Sequence, residues 1–192
     1  MIDDDLNEIK EKLSKRFIMK DLGEIKTYLG ININYDRRSG EMTLDQSEYI
    51  ESLARKYNVE GSKLYYTPME QNLSLSPAQS ASEDINYRNL IGALLYVSAS
   101  TRLDVSYSVN YLSRFQNCYS ETHFKYALRI LKYLYLTRGM KLTYCRNFKT
   151  DIIDAYVDAD WAGDKIDRKS TTGYVIRVFG NVIYWKSKSR VA

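Results

Sequence analysis

Proline and cysteine are scarce in this chain of 192 residues, which has two of each. Cys118 and Cys145 form no metal-ligand spacing and nothing around them suggests secretion, so they read as reduced thiols of a cytosolic or nuclear protein. Both prolines fall in one stretch, TPMEQNLSLSPAQSASED (Thr67–Asp84), which is rich in serine and has no periodicity. That composition predicts a linker or long loop, and a domain boundary. No apolar run approaches the roughly 18–20 residues needed to span a bilayer. The acidic, amphipathic start MIDDDLNEIKEKL argues against a signal peptide. No membrane partner is expected.

What remains is ordinary globular material, 44% hydrophobic and 27% charged, long enough to bury a core in one domain or two small ones. The net charge of +4 is unevenly spread. Residues 1–70 hold 11 Lys and Arg against 14 Asp and Glu, residues 71–150 hold 10 against 4, and residues 151–192 hold 7 against 6. The basic middle third suits a polyanion, although a solvated basic face accounts for the charge equally well.

Leu6, Ile9, Leu13 and Phe17 recur at helical spacing behind the acidic run Asp3–Asp5, predicting a first helix over roughly 4–17. YLGININY (Tyr28–Tyr35) alternates apolar and small or polar residues and predicts a half-buried strand. DRRSGE is a turn and EMTLDQ a second strand, completing a hairpin. A helix follows with Tyr49, Ile50, Leu53, Ala54 and Tyr57 on one face. Beyond the proline-containing segment come three more helical patterns. YRNLIGALLYVSAS carries Leu90, Ile91, Leu94 and Leu95, and DVSYSVNYLSRF carries Val105, Val109, Leu112 and Phe115. ETHFKYALRILKYLYLTR carries Phe124, Ala127, Leu128, Leu131 and Leu134, with Lys125, Arg129 and Lys132 on another face and Gly139 closing it. The last segment turns to strands, IIDAYVDAD, TTGYVIRVFG and NVIYWKSKS, with a turn expected at Gly180-Asn181.

The runs MKDLGEIKTYLGININY, LDQSEYIESLARKYN, YRNLIGALLYVSASTRLDVSYSVNYLSRF, THFKYALRILKYL and DADWAGDKIDRKSTTGYV, in this order, cover nearly the whole chain. Together they resemble the Pol polyprotein of copia-type LTR retrotransposons, which encodes protease, integrase, reverse transcriptase and ribonuclease H. The resemblance implies an α+β chain. It would start at the end of the polymerase palm, with a hairpin like the primer grip (1–66), and continue through a linker or loop (67–84). A helical thumb or connection (85–149) and the first three strands of a ribonuclease H-like sheet (150–192) would follow. The sequence departs from the family pattern at Leu103, where the family has proline in Thr-Arg-Pro-Asp, and at Tyr135-Leu136-Thr137, where it has Lys-Gly-Thr.

The family's polymerase motif, Tyr-x-Asp-Asp, occurs nowhere here. Asp3 and Asp4 lack its tyrosine and preceding strand, and a charge run at a helix N-terminus accounts better for them. In YVDADWAGD (Tyr156–Asp164), Asp158 takes the position of the first metal-binding carboxylate of ribonuclease H, while Asp160 and Asp164 match acidic positions of the copia pattern. The family uses two Mg2+ ions and carboxylates from a following helix. Lacking those partners, Asp158 is expected to be an orphaned catalytic and metal ligand, and stable Mg2+ binding is not expected.

The resemblance further implies that Tyr28 and Gly30 face the primer end, Gly30 either allowing close phosphate approach or marking a bulge. Arg88, Gly92 and Tyr96, at i, i+4 and i+8, would track a duplex minor groove. Lys125, Arg129 and Lys132 would meet phosphates or form a solvated face. The expected partner is an RNA–DNA or DNA duplex, with association to other Pol or Gag-derived chains, in the cytoplasm, nucleus or a virus-like particle. Alternatives stand beside duplex binding: a polymerase or ribonuclease H completed by further sequence, a domesticated protein-binding scaffold, or a relic without selected activity. The strands at 150–192, cut from their covering helices, are expected to be poorly ordered, packed on the thumb, or oligomer-forming.

Overall fold

Each periodic segment becomes an element, but not always the one its pattern suggests. The computed structural model describes residues 2–82, 85–146, 152–159 and 170–190. Helix α1 (Ile2–Arg16) forms near the expected bounds and is braced by Glu8–Lys12 and Glu11–Lys15 ion pairs one turn apart. Its apolar stripe nevertheless stays in solvent, with Leu6, Ile9, Leu13 and Phe17 41–57% exposed. Amphipathic spacing made a helix here without making a core face.

YLGININY is not one strand. It bends at Leu29-Gly30 into a tight hairpin between β1 (Thr27–Tyr28) and β2 (Ile31–Asp36), with Tyr28 paired to Ile31. Both turn residues have positive φ, 50° at Leu29 and 75° at Gly30. That geometry matches the right-handed twist of the flanking strands. β3 (Glu41–Asp45) pairs antiparallel with β2, and the Asp36 carboxylate folds the intervening turn by accepting from the Arg38 amide and the Ser39 hydroxyl. A strand that the sequence pattern did not mark, β4 (Leu142–Tyr144), pairs with β3 and closes the sheet in the order β1-β2-β3-β4.

All the helices from α2 to α5 therefore lie between two neighbouring strands of one sheet. α2 (Ser47–Lys56), α3 (Tyr87–Ser100), α4 (Ser106–Ser113) and α5 (Glu121–Leu136) share one apolar cluster. It joins Ile50, Leu53 and Ala54 of α2 to Leu90, Ile91 and Leu94 of α3 and to Ile130, Leu131 and Leu134 of α5. The 67–84 segment thus connects two halves of one core. It is also pinned: Leu75 is buried, its amide donates to the Tyr111 hydroxyl (2.9 Å), and the Ala78 amide donates to the Cys118 carbonyl (2.8 Å). Leu95, expected in the core of α3, is partly exposed, because its inner face runs through Tyr87, Leu90, Ile91, Leu94 and Val97. α5 starts with a capping box in which the buried His123 ring accepts from the Ser120 amide at 3.1 Å. Burial holds His123 below its ordinary pKa.

Arg102 lies in a short 3-10 turn region after α3 and is almost wholly buried. Its guanidinium grips Asp104 through two nitrogens (3.0 and 2.8 Å) and donates to the carbonyl and hydroxyl of Thr137 at the end of α5. Tyr133 donates a further bond to Asp104 at 2.8 Å. Burial raises the Asp104 pKa, but the Arg102 hydrogen bonds and charge and the Tyr133 hydroxyl outweigh it and hold the carboxyl below its ordinary value. The motif that departs from the family pattern, Thr101-Arg102-Leu103-Asp104, thus locks α3 to α5.

The C-terminal strands form a separate antiparallel sheet, β5 (Ile153–Ala159), β6 (Ser170–Val178) and β7 (Asn181–Arg190). Its hairpin turns at Phe179-Gly180, one residue before the expected place, again with positive φ at both positions (47° and 76°). The sheet is packed on the helices. Trp185 donates its indole N–H to the Ser98 carbonyl at 2.7 Å, the Asn110 amide reaches the Ser187 carbonyl, and Asn181 brackets the backbone of Cys145. Among the described residues no helix is long and apolar enough to cross a membrane.

Arg102 is buried while Asp104 stays solvent-accessible, so losing the guanidinium removes its hydrogen bonds to Asp104 and Thr137 without stranding a buried charge. Arg102→Met is expected to cost about 1–3 kcal/mol in urea unfolding. A loss under about 1 kcal/mol would mean that the α3–α5 lock contributes little.

Candidate nucleic-acid interface

The residues singled out from sequence fall into three groups. In the first, the hairpin tip and α3 meet. The Tyr96 hydroxyl donates a short hydrogen bond to the Leu29 carbonyl, and its ring packs edge-on against Tyr49 at 5.5 Å. Tyr28 and Leu29 are exposed beside this bond, at 59% and 70%. Gly30 is neither a bulge nor sterically cramped, since a Cβ there would meet only the Tyr49 ring at 3.9 Å. Its φ of 75° is what requires glycine. Leu29 adopts the same left-handed region without that freedom, at a cost of roughly 1–2 kcal/mol.

Arg88, Gly92 and Tyr96 do share one solvent-facing side of α3, over about 12 Å of helix. A Cβ on Gly92 would meet nothing within 4 Å, so the fold itself does not need this glycine. In a helix interior it costs about 1 kcal/mol relative to alanine, and what it leaves is a flat spot between a cation and a phenol. Arg88 is partly engaged, its Nε donating to the Gln116 carbonyl (2.8 Å) and a terminal nitrogen to the Asn117 side chain (3.2 Å).

The second group is the basic stripe of α5. Lys125 is exposed and Lys132 half-buried, and both line a groove with Tyr65, Ile85 and Phe124. Arg129 differs and corrects the expectation of a free phosphate-facing cation. It is ion-paired with Glu70, donates to the Thr67 carbonyl and hydroxyl, and stacks on Tyr65 at 4.4 Å. The proline-containing segment has taken it, holding that segment down.

The third group is the acidic cluster. Asp158 sits on the helix-facing side of β5, in a cleft of about 570 Å³ that Asp104, Tyr107, Tyr156 and Trp185 also line. Asp160 and Asp164 lie outside the described residues, as do the side chains of Asp3, Asp4 and Asp5. Among the described residues no three His, Cys, Asp or Glu side chains converge to hold a metal ion. Asp104, which also lines the cleft, is committed to Arg102. The donor set of the described residues does not fit a two-Mg2+ centre. What sequence reasoning missed was structural: the Arg-x-Asp signal of the α3–α5 lock, and the β1–β2 hairpin, whose sole mark is an exposed leucine before glycine.

A segment with antiparallel sheets, a hairpin held against a helix and an amphipathic helical core defines a mixed α+β class. The family described as "Reverse transcriptase (RNA-dependent DNA polymerase)" matches residues 3–71. The chain is 35% identical over 189 residues to the "Retrovirus-related Pol polyprotein from transposon TNT 1-94" of Nicotiana tabacum, covering 94% of this chain and 14% of that one. It is 37% identical over 187 residues to the Pol polyprotein from transposon RE1 of Arabidopsis thaliana, covering 96% and 12%. An uncharacterised mitochondrial protein of Arabidopsis thaliana is 33% identical over 184 residues, covering 95% and 75%. No solved structure matches. The chain belongs to the copia-type retrotransposon Pol family. It spans about one-seventh of the tobacco polyprotein.

Relieving the left-handed leucine should stabilise the tip, and removing the hydroxyl that holds it should loosen it. Leu29→Asn is expected to gain about 0.5–1 kcal/mol and Tyr96→Phe to lose about 1 kcal/mol in urea unfolding. Destabilisation by Leu29→Asn would show that the exposed leucine makes contacts worth more than its strain.

Proposed function

We propose that this chain is a reverse transcriptase-derived segment that binds primer–template duplex, an RNA–DNA hybrid or DNA, without carrying out chemistry through its own described residues. On this reading residues 1–66 are the end of the palm, with the β1–β2 turn as the primer grip. The tied-down segment 67–84 leads into the thumb or connection helices of 85–149, and 150–192 begins a ribonuclease H-like sheet. The observation that carries the reading is the bond from Tyr96 to the Leu29 carbonyl. It makes the hairpin tip and the open face of α3 one continuous surface.

Along that surface Arg88 meets phosphate, Gly92 lets the sugar–phosphate backbone lie close, and Tyr28 and Tyr96 bracket the tip. Such contacts read backbone and shape without reading sequence, as a segment that slides on any template requires. Lys125 and Lys132 add charge from α5. The basic surplus of residues 71–150 supports the same partner. Asp158 holds the position of a ribonuclease H carboxylate, but with Asp104 committed to Arg102 it acts only if further carboxylates come from elsewhere in a longer Pol chain. Other Pol or Gag-derived chains in a virus-like particle are where such completion would occur.

Fluorescence anisotropy with a 20-base-pair RNA–DNA hybrid across a salt series tests this. Each neutralised phosphate contributes about −0.9 to the slope of log K against log salt. Arg88→Ala with Lys125→Ala is expected to reduce the slope by about 2, while Arg129→Ala leaves it unchanged because that guanidinium is already paired. Well-folded protein that binds no hybrid at low salt would overturn the proposal and favour a protein-binding scaffold.

A further inference from the structure

The segment between α2 and α3 carries two hydroxyls that precede proline, those of Thr67 and Ser76. They are held differently. Ser76 lies between two anchored backbone groups, the Leu75 amide on the Tyr111 hydroxyl and the Ala78 amide on the Cys118 carbonyl. From Lys63 to Met69, in contrast, no backbone amide donates a hydrogen bond among the described residues. Thr67 is exposed, and what holds it is the side chain of Arg129. Pro68 has no N–H and keeps Thr67 out of the helical region. An enzyme that draws its substrate into an extended shape therefore breaks few bonds at Thr67 and more at Ser76.

Arg129 is already arranged as a receiver for an oxyanion at Thr67. Its side chain is largely buried, and its guanidinium lies over the Tyr65 ring at 4.4 Å, which fixes the plane of the fork. Nη1 binds Glu70, Nη2 donates to the Thr67 hydroxyl at 3.0 Å, and Nε reaches the Thr67 carbonyl at the long distance of 3.4 Å. Two parallel N–H groups on one edge of a guanidinium take two oxygens of a phosphate. A phosphate on Thr67 Oγ1 has its oxygens beside the Nε–Nη2 edge, and Glu70 keeps Nη1. The neighbouring groove on α5 also holds Lys125 and Lys132, neither of them ion-paired among the described residues. With Glu121 and Glu70 the site has three cations against two carboxylates. A phosphate adds about −1.5 to −2 and reverses that balance.

We infer that Thr67 is a phosphorylation site, modified by a proline-directed serine/threonine kinase and captured by Arg129, and that its phosphate masks the basic groove of α5. In the transfer the Thr67 hydroxyl oxygen bonds to the γ-phosphorus of ATP, the bond from that phosphorus to ADP breaks, and the hydroxyl proton passes to the kinase's base. The masking rests on the duplex reading above, because it withdraws Lys125 and Lys132 from the nucleic acid. The modification and its capture by Arg129 do not depend on that reading.

The test treats the folded 192-residue chain with a cyclin-dependent kinase and ATP and maps the product by mass spectrometry. A phosphate on Thr67 is expected, absent in Thr67→Ala and retained in Ser76→Ala. In a phosphorus NMR titration its second ionisation should lie below the ordinary value of about 6 and return to that value in Arg129→Gln. Phosphorylation should reduce the salt slope for the RNA–DNA hybrid by about 1–2, and the same treatment of Thr67→Ala should leave the slope unchanged. The inference is overturned if Thr67 stays unmodified. It is equally overturned if the phosphate titrates alike in the parent chain and in Arg129→Gln with an unchanged circular dichroism spectrum. Phosphorylated chain that binds the hybrid as before overturns the masking. If the unmodified chain binds no hybrid, it is the duplex reading that fails, and the mass and phosphorus measurements still decide the site.

Discussion

Helix α3 is the member on which the rest of the molecule hangs. Its inner side, Tyr87, Leu90, Ile91, Leu94 and Val97, is fully buried, and five other parts of the chain attach to it by side-chain bonds. The hairpin attaches through Tyr96, the start of α2 through Thr101 and Gln46 (2.8 Å), and the end of α4 through Tyr87 and the Leu112 carbonyl (2.7 Å). The α4–α5 loop attaches through Arg88, and the C-terminal sheet through Trp185 and the Ser98 carbonyl. Burying such a helix removes enough apolar surface that losing a single leucine to alanine costs about 2–5 kcal/mol. The geometry of the outer face is therefore rigid for the same reason that the core is stable.

That coupling explains an otherwise wasteful arrangement. An exposed glycine in the middle of α3 and a leucine in the left-handed region of the adjoining turn each cost free energy; the turn needs its positive φ, but the fold needs neither a glycine at 92 nor a leucine at 29. Both lie on the surface shared by the hairpin and α3. Strain and flatness collected at one place, on the most firmly held helix, suit a surface shaped for something outside the chain.

Much of the architecture could be read from periodicity. The five helical patterns fold as helices, and Val105, Val109, Leu112 and Phe115 are buried as a set. Two failures have physical causes. A two-residue turn inside YLGININY leaves no polar signal, because Leu29 stands where asparagine would normally announce it. β4, three residues long, is fixed by long-range pairing to β3 and has no local pattern of its own. The candidate site was less legible. Helical spacing gave Arg88, Gly92 and Tyr96 one face, but the pairing of Arg129 with Glu70 and the docking of the Arg102–Asp104 pair on α5 depend on contacts between distant segments. Charge counted along a sequence does not reveal which cations are already spent.

Native-state hydrogen exchange tests the central place of α3 most directly. The account predicts that the α3 amides exchange only through global unfolding, together with those of α5 and the β2–β3 pair, while α1 and the edge strand β5 open at much lower free energy. Exchange of α3 by local opening, with the C-terminal sheet still protected, would contradict it.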